Sequence, residues 1–247
     1  MKYLILLFSV LSISANAYFL TNEQRYDLAK LIWDGNYDEV ERLLNNGMDP
    51  SGSLEKNGTN VFAIVGNPSQ QLAVSYHDFI PEFTEKQFKV LNLLLKRGGQ
   101  LNPDNGGFIQ RPIKGAVGML YNFNAPQVYD CNVSYIRWML DNGADFWKAA
   151  YTPLGWEGAM GAVSDYCGTE FFDLMLEKFD PIKLACNTVG GYSASVSAGT
   201  DQWVLEDTGK EHWAVYGQRI LKPIIGYAFK PRTRDNDEWF DQNCMKD

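Results

Sequence analysis

The sequence has few of the residues from which metal and catalytic sites are usually built. Its 247 residues include 2 histidines, His77 and His212, and 4 cysteines without a Cys-x-x-Cys spacing. Two histidines so far apart in sequence do not form a metal site. Neither a phosphate-binding glycine loop before a lysine nor a Gly-x-Ser-x-Gly motif is present. The sequence therefore predicts a protein that is not an enzyme and holds no metal or cofactor.

Two local matches to catalytic patterns carry little weight. Ser75-Tyr76-His77-Asp78 offers a hydroxyl, an imidazole and a carboxylate, but nothing fixes a nucleophile beside them, and surface hydrogen bonding explains them. Ser-Leu-Glu-Lys at 53–56 matches only a bare Ser-x-x-Lys spacing. Because the chain has 30 acidic residues, a carboxylate-dependent envelope enzyme remains an alternative. A structural envelope component is the other alternative.

The chain also lacks a polybasic patch and, after residue 17, a long apolar run. Its densest basic cluster, residues 230–234, is followed by Asp235, Asp237 and Glu238, and the net charge is -8. Nucleic-acid binding needs clustered cations against phosphate, and a membrane-spanning helix needs about 20 apolar residues. We therefore expect no nucleic-acid partner and no membrane span in the mature chain. An acidic surface favours neutral or basic partners.

The first 17 residues have the pattern of a secretory signal peptide. Lys2 precedes the apolar run 4–13, and Ala15-Asn16-Ala17 supplies small residues at a cleavage site. The run is about half of the ~20 residues that an anchor needs, and no cysteine follows that would indicate a lipoprotein. The sequence predicts cleavage before Tyr18, a bacterial source and a periplasmic or secreted protein. The mature net charge is -9, because Lys2 is the only charge removed.

An apolar pair followed by a glycine recurs along the mature chain and predicts helix ends. It occurs as Leu-Leu-Asn-Asn-Gly at 43–47, Leu-Leu-Lys-Arg-Gly at 94–98 and Met-Leu-Asp-Asn-Gly at 139–143. The glycine suits the left-handed position after a helix. A fourth copy, 176–179, has Phe179 in place of glycine, although Asp180-Pro181 still predicts a stop.

A helix-start pattern follows each glycine after a segment of about ten residues, which we call a finger. Thr152-Pro153-Leu154 is the clearest copy: threonine caps, proline fits the first helical position and leucine begins the apolar face. The segments 111–113 and 59–61 occupy the same slot earlier. In the first helix pair, Asp34-Gly35-Asn36 predicts the turn, and the polar positions, Arg25 among them, predict a solvated face.

These motifs resemble the ankyrin-repeat family over residues 20–186. The resemblance implies a mainly α fold, a solenoid of stacked helix pairs with fingers and long insertions, and a function in protein binding. The spacing from Leu44 to Leu95 is 51 residues and from Leu95 to Leu140 is 45, against the usual 33, and only the 36 residues from Leu140 to Leu176 come close. No copy carries the histidine that normally follows Thr-Pro-Leu.

Aromatic residues in the insertions and fingers are candidate partner contacts. They either fold the loops back over the helices or anchor a partner, since tyrosine and tryptophan dominate interface hot spots. In the ankyrin family the fingers and first-helix faces form the binding surface, which supports the second interpretation. The candidates are Tyr76, Tyr121, Phe123, Tyr129, Trp147 and Trp156.

Residues 187–247 change pattern and predict a small β-containing C-terminal cap. The segments 193–196, 202–205 and 213–216 are short and β-prone, and residues 206–210 resemble a hairpin turn. A terminal cap is needed because the last repeat otherwise leaves its apolar face open. His212 is predicted to lie in a strand. The predicted units are thus residues 1–17, 18–186 and 187–247.

All four cysteines lie in the mature chain, which permits three disulfide pairings in an oxidising compartment. Cys131 and Cys167 stand at equivalent positions of neighbouring repeats, five residues before Ile136 and Phe172. Stacked helices are about 10 Å apart, too far for a disulfide unless a loop leans over the gap. We predict the pairs Cys131–Cys167 and Cys186–Cys244, with free thiols as the alternative.

The function that fits these features is a non-enzymatic protein-binding module of the bacterial envelope. One concrete form is an immunity protein that neutralises a secreted toxin or effector with a basic surface. This expectation comes from the type of chain and not from a single residue.

Overall fold

The computed structural model describes residues 18–53, 60–66, 82–103, 131–147, 150–152, 155–157, 167–187 and 211–225, with the single positions 113, 163, 209 and 242. This part of the chain is mainly helical, as predicted. In chain order its elements are α1 (Asn22–Trp33), α2 (Tyr37–Asn45), α3 (Val61–Gly66), α4 (Glu85–Lys96), α5 (Val133–Asp141), β1 (Ala150–Thr152), β2 (Gly155–Glu157), α6 (Thr169–Lys178), α7 (Pro181–Asn187) and α8 (Trp213–Ile225).

Helices α2, α4, α5 and α6 form a row in which neighbours run in the same direction. Lys89, in the first half of α4, lies over the ring of Tyr37 at the start of α2. Arg97, just after α4, donates a hydrogen bond to Asn45 at the end of α2, with an Nη1 to Oδ1 distance of 3.1 Å. Because starts lie beside starts and ends beside ends, the two helices are parallel.

The same order continues from α4 to α5. The backbone N–H of Phe83, just before α4, donates to the hydroxyl of Ser134 in the first turn of α5 at 2.9 Å. Farther along, the indole of Trp138 donates to Asn92 at 2.9 Å. These two bonds fix the parallel alignment of α4 and α5.

Three helices of the row end in the same turn, at the three predicted glycines. Gly47, Gly98 and Gly143 have φ values of 92, 104 and 86°, in the left-handed region that disfavours residues with a Cβ. At Gly47 the glycine N–H bonds Leu44 O (3.0 Å) and the next N–H bonds Leu43 O (3.1 Å), and the other two turns repeat this pair of bonds. This is the Schellman arrangement, and it confirms the predicted helix ends.

Helix starts are set by polar side chains. Thr21 and Gln24 form a capping box at α1, Thr84 and Gln87 form one at α4, and Asn132 caps α5 through the N–H of Tyr135. The box at Thr84 starts α4 at Glu85. The predicted turn between α1 and α2 is confirmed, with Gly35 at φ 66°.

Helices α1 and α3 lie behind the row. The indole of Trp33 at the end of α1 donates to Val65 O in α3 at 3.2 Å. The side-chain amide of Gln87, 2 % exposed, donates to Trp33 O at 2.6 Å, so α4 also holds the end of α1. Tyr135 of α5 donates its hydroxyl proton to Phe62 O in α3 at 2.7 Å. One buried hydrophobic cluster, from Leu20 to Leu221, connects the two layers.

The far end of the row is covered by α7 and α8. Helix α6 stops at Phe179, as predicted, and Asp180 then caps α7 by accepting from the N–H groups of Ile182 and Lys183. Trp213 of α8 is fully buried against Phe171 and Phe172 of α6, with ring centroids 6.0 and 6.4 Å away.

The predicted strand at 213–216 and the predicted strand position of His212 are wrong. These residues open helix α8, and His212 is buried just before it, where its carbonyl accepts from Val215 and Tyr216. Trp213, Gly217 and Leu221 are all buried at a spacing of four, which is a helical face and not a strand face. The other two predicted cap strands, 193–196 and 202–205, lie outside the described residues.

The predicted helix start at Thr152 is also wrong. Ala150–Thr152 is strand β1, which pairs antiparallel with Gly155–Glu157 so that Thr152 faces Gly155. A pair of antiparallel strands therefore lies where a capped helix was expected. Tyrosine, threonine and tryptophan favour strands, and here that preference exceeds the capping tendency of threonine.

Arg25 corrects the predicted solvated face of α1, because only 3 % of it is exposed. Burial lowers the pKa of its guanidinium. A cation on a helix face is normally solvated, and only packing against other parts of the fold places it inside.

Cys131 and Cys167 form a disulfide, with Cα atoms 4.7 Å apart. Each cysteine directly precedes the N-cap residue of its helix, Asn132 for α5 and Gly168 for α6. The chain enters both helices from the same side, so the two entry points are neighbours and the cysteines can bond. The backbone of Cys186 lies in α7, whereas Cys244 is outside the described residues, so the predicted second pair remains a prediction.

Candidate interaction surface

The helix row carries an open groove between α2 and α4, which we call the α2–α4 groove. Its volume is about 430 Å³. At its base Leu93 is buried, and Tyr37 and Phe88 are partly buried against the hydrophobic core. At its edges Lys89, Asn92, Lys96 and Arg97 are exposed. The lining residues are Tyr37, Glu41, Glu85, Phe88, Lys89, Asn92, Leu93, Lys96 and Arg97.

Cation contacts connect the two walls of this groove. The Lys89 ammonium lies 4.5 Å from the ring centroid of Tyr37, a favourable cation–π contact. Arg97 lies 3.7 Å from the carboxylate of Glu41, with both side chains exposed to about two fifths. Exposed ion pairs contribute little stability, but each contact spans both helices. The groove therefore has an ordered charged edge beside an apolar base.

The neighbouring pair, α5 and α6, is bridged more tightly by charge. Arg137 donates to the carboxylate of Glu177 at 2.6 Å, and Lys178 lies 2.7 Å from Asp141. Hydrogen bonds from Arg137 and Lys178 lower the pKa of Glu177, and the bond to Asp141 is the main cause that raises the pKa of Lys178. The disulfide joins the same two helices at their starts, so this half of the row is linked at both ends.

The fingers are also joined to each other by hydrogen bonds. The N–H of Gln100 donates to the hydroxyl of Ser51 at 3.0 Å. Asn102 donates to Gly143 O and accepts from the N–H of Asp145, both at 2.7 Å. Side chains thereby hold successive fingers in register, and the row is supported on its glycine side.

Trp147, a predicted partner contact, is half-buried inside the protein's own packing. Its ring centroid lies 4.7 Å from that of Phe179 and 5.2 Å from that of Phe146, and the Lys183 ammonium covers it at 4.9 Å. These contacts join the third finger to α6 and α7. Trp147 therefore has a structural role, and a partner meets only its exposed part.

The structure does not test whether the other predicted contacts lie together. Trp156 lies in β2, where its backbone pairs with that of Tyr151, and Trp147 precedes these two strands in the third finger. The remaining four candidates lie outside the described residues: Tyr76, Tyr121, Phe123 and Tyr129.

Sequence reasoning missed the α2–α4 groove. Tyr37 and Lys89 are 52 positions apart, as are Asn45 and Arg97. Both offsets are one residue longer than the 51-residue spacing between Gly47 and Gly98 that the sequence contains. Taken alone, however, the charged residues of both helices match an ordinary solvated face.

Among the described residues, no group of three or more histidine, cysteine or acidic side chains is arranged to hold a metal ion. No helix in the described part of the chain has both the length and the apolar character needed to cross a bilayer. Comparison of the chain with protein-family models, with curated proteins and with solved structures found no match.

Proposed function

We propose that this protein is a non-enzymatic protein-binding module of the bacterial envelope, built as a divergent ankyrin-like array. In its most concrete form it is an immunity protein that neutralises a secreted toxin or effector. The observation that carries this proposal is the α2–α4 groove, an apolar and charged surface on a row of parallel helices whose ends and fingers are held in register.

Rigidity is the reason why such a surface suits binding. Association loses less free energy when the contacting side chains are already ordered. In the α2–α4 groove, Lys89 is held against Tyr37 and Arg97 against both Glu41 and Asn45. A partner then meets positioned charges around an apolar base, the arrangement of a polar rim around an interface core.

Localisation to the periplasm or outside the cell follows from the predicted signal peptide. The disulfide between Cys131 and Cys167 supports this proposal, because disulfides persist in oxidising compartments. An envelope protein of this kind meets toxins delivered by neighbouring cells before they act.

The test is binding and protection against the product of the adjacent gene, since immunity genes lie beside toxin genes. We expect the purified product to bind this protein and, when sent to the periplasm, to stop growth unless this protein is co-expressed. Glu85→Lys, which reverses an acidic charge at the edge of the groove, should weaken binding to a basic partner about tenfold or more, as for loss of one interface contact. Glu23→Lys on α1 is the matched control, because it also replaces an acidic residue in the first turn of a helix, and it should bind like the wild type.

A stably folded Glu85→Lys protein that binds the partner with unchanged affinity would remove the α2–α4 groove from the binding surface. If the adjacent gene product neither binds nor inhibits growth, the immunity form of the proposal fails.

Salt sensitivity is a second expectation for the same complex. The mature net charge of -9 favours a partner with a basic surface, and this attraction is screened beyond about 8 Å at physiological ionic strength. We expect the association rate to fall at least severalfold between 50 and 500 mM salt, because steering between charged surfaces is screened. Stopped-flow fluorescence measures it, with sucrose at matched viscosity as the control, and a rate independent of salt would contradict a basic partner surface.

A further inference from the structure

The residue predicted to follow the leader is hydrogen-bonded into the fold. The backbone N–H of Tyr18 donates to Gly47 O at 3.0 Å, and Tyr18 O accepts from the N–H of Asp49 at 3.2 Å. Leu20 N–H donates to Ser53 O at 2.9 Å. Tyr18 thus forms a parallel bridge with Met48. The predicted cleavage site and the start of these contacts coincide.

The acceptor of the Tyr18 N–H lies at the C-terminal end of α2. Gly47 is the residue after the helix cap Asn46, and the carbonyls of Leu43 and Leu44 are already used by the turn itself. The carbonyl end of a helix carries a partial negative charge of about half an electron. The nitrogen of Tyr18 therefore lies where a positive charge is stabilised.

We propose that removal of residues 1–17 turns this nitrogen into a positive cap of helix α2. Before cleavage the nitrogen belongs to a neutral amide; after cleavage it is an ammonium group that still donates to Gly47 O. Signal-peptide removal then completes the fold as well as releasing the chain. The inference rests on the proposed export and on cleavage before Tyr18, and it is independent of the binding function.

Other charged groups near this end of α2 modify the effect without replacing it. Arg42 lies one turn earlier and is engaged by Glu39, at 2.7 Å from Nε to Oε2. Asp49 follows Gly47, and its carboxylate accepts from the N–H of Ser53 at 3.0 Å. The phenol of Tyr18 contributes weakly to the raised pKa of Arg42. Arg42 is thus paired with Glu39, and the carboxylate of Asp49 itself favours an ammonium group, so neither reverses the sign set by the helix end.

The experiment compares proteins that differ only at this nitrogen. One begins at Tyr18 with a free amine, made from a fusion that leaves no extra residue. The second is the same protein acetylated at its α-amine at pH ~6.5, where lysines stay protonated, and checked by mass spectrometry. The acetylated nitrogen keeps its N–H donor and loses only its charge. We expect its Tm to be about 1–4 °C lower, and a Gly-Ser extension before Tyr18 to give a similar decrease.

The difference should also depend on pH with a defined sign. A cation at a negative helix end is favoured in the folded state, so the pKa of the α-amine is higher folded than unfolded. The extra stability is therefore fully present below the unfolded pKa of about 7.7–8.0, and it is lost as pH rises through the folded pKa. The two melting curves should converge in that range.

Equal Tm values for the free and acetylated proteins at pH 6.5 would overturn the proposal and leave the binding function untouched. N-terminal sequencing of the exported protein is the second test, because it identifies the first residue of the mature chain. A mature chain that starts anywhere other than Tyr18 also overturns it.

Discussion

Replacing Cys131 and Cys167 with alanine should lower the free energy of unfolding by about 4 kcal/mol. The cysteines are 36 positions apart, and closing a loop of that length restricts the unfolded chain by about that amount in the chain-entropy model. Both side chains are buried, at 7 % and 1 % exposure, so alanine avoids the cost of a buried hydroxyl. Urea denaturation followed by circular dichroism measures the change.

The control must separate this bond from the predicted Cys186–Cys244 pair. We therefore place both experiments in a Cys186→Ala, Cys244→Ala background. There, a reducing agent should destabilise the protein by the same amount as the Cys131→Ala, Cys167→Ala change, and should have no effect once those alanines are present. A stability that is indifferent to reductant in this background would show that the bond contributes nothing.

Trp213→Ala should lower the free energy of unfolding by about 3–5 kcal/mol. Trp213 has no exposed surface and packs its indole on Phe171 and Phe172. Removing a fully buried aromatic side chain loses its transfer free energy and leaves a cavity. Because this ring joins α8 to α6, we also expect faster amide exchange in α6.

Two further variants of α8 are compared with Trp213→Ala. Tyr216→Phe removes the hydrogen bond from the exposed Tyr216 hydroxyl to Asp173 and should change stability by less than about 1 kcal/mol. Gly217→Ala should destabilise by about 1–3 kcal/mol, because a Cβ there would lie 2.5 Å from the Phe172 ring. If Trp213→Ala costs no more than Tyr216→Phe, α8 does not cover α6 in solution.

Local signals predicted helix ends well and the type of a short element poorly. The turns at Gly47, Gly98 and Gly143 depend on the preference of glycine for the left-handed conformation at a helix end. That preference acts within about five residues, so the local sequence is enough to predict these turns. Trp213 misled the prediction because aromatic and β-branched residues favour strands in general. Its burial against Phe172, and that of Gly217 beside it, is a property of α6, about 40 positions away in the chain.

The same distinction applies to the candidate site. Trp147 was selected as an exposed anchor from its position in a finger, yet it packs on Phe179 and under Lys183. The α2–α4 groove was missed because Tyr37 and Lys89 come into contact only when two helices lie side by side. Neither the packing of Trp147 nor the groove can be predicted from the local sequence around these residues.

By itself, then, the sequence determined what depends on neighbours along the chain: the mainly helical character, the turn at Gly35, the glycine turns and the stop before Pro181. Backbone sterics and capping act over a few residues, so these features do not depend on the tertiary fold. Only the tertiary structure decided that Arg25 is buried, that residues 150–152 and 155–157 pair as strands, that residues 213–225 form a helix, and that α2 and α4 enclose a groove. These outcomes depend on which surfaces meet, because burial and charge contacts between distant segments exceed local preferences of about 1 kcal/mol.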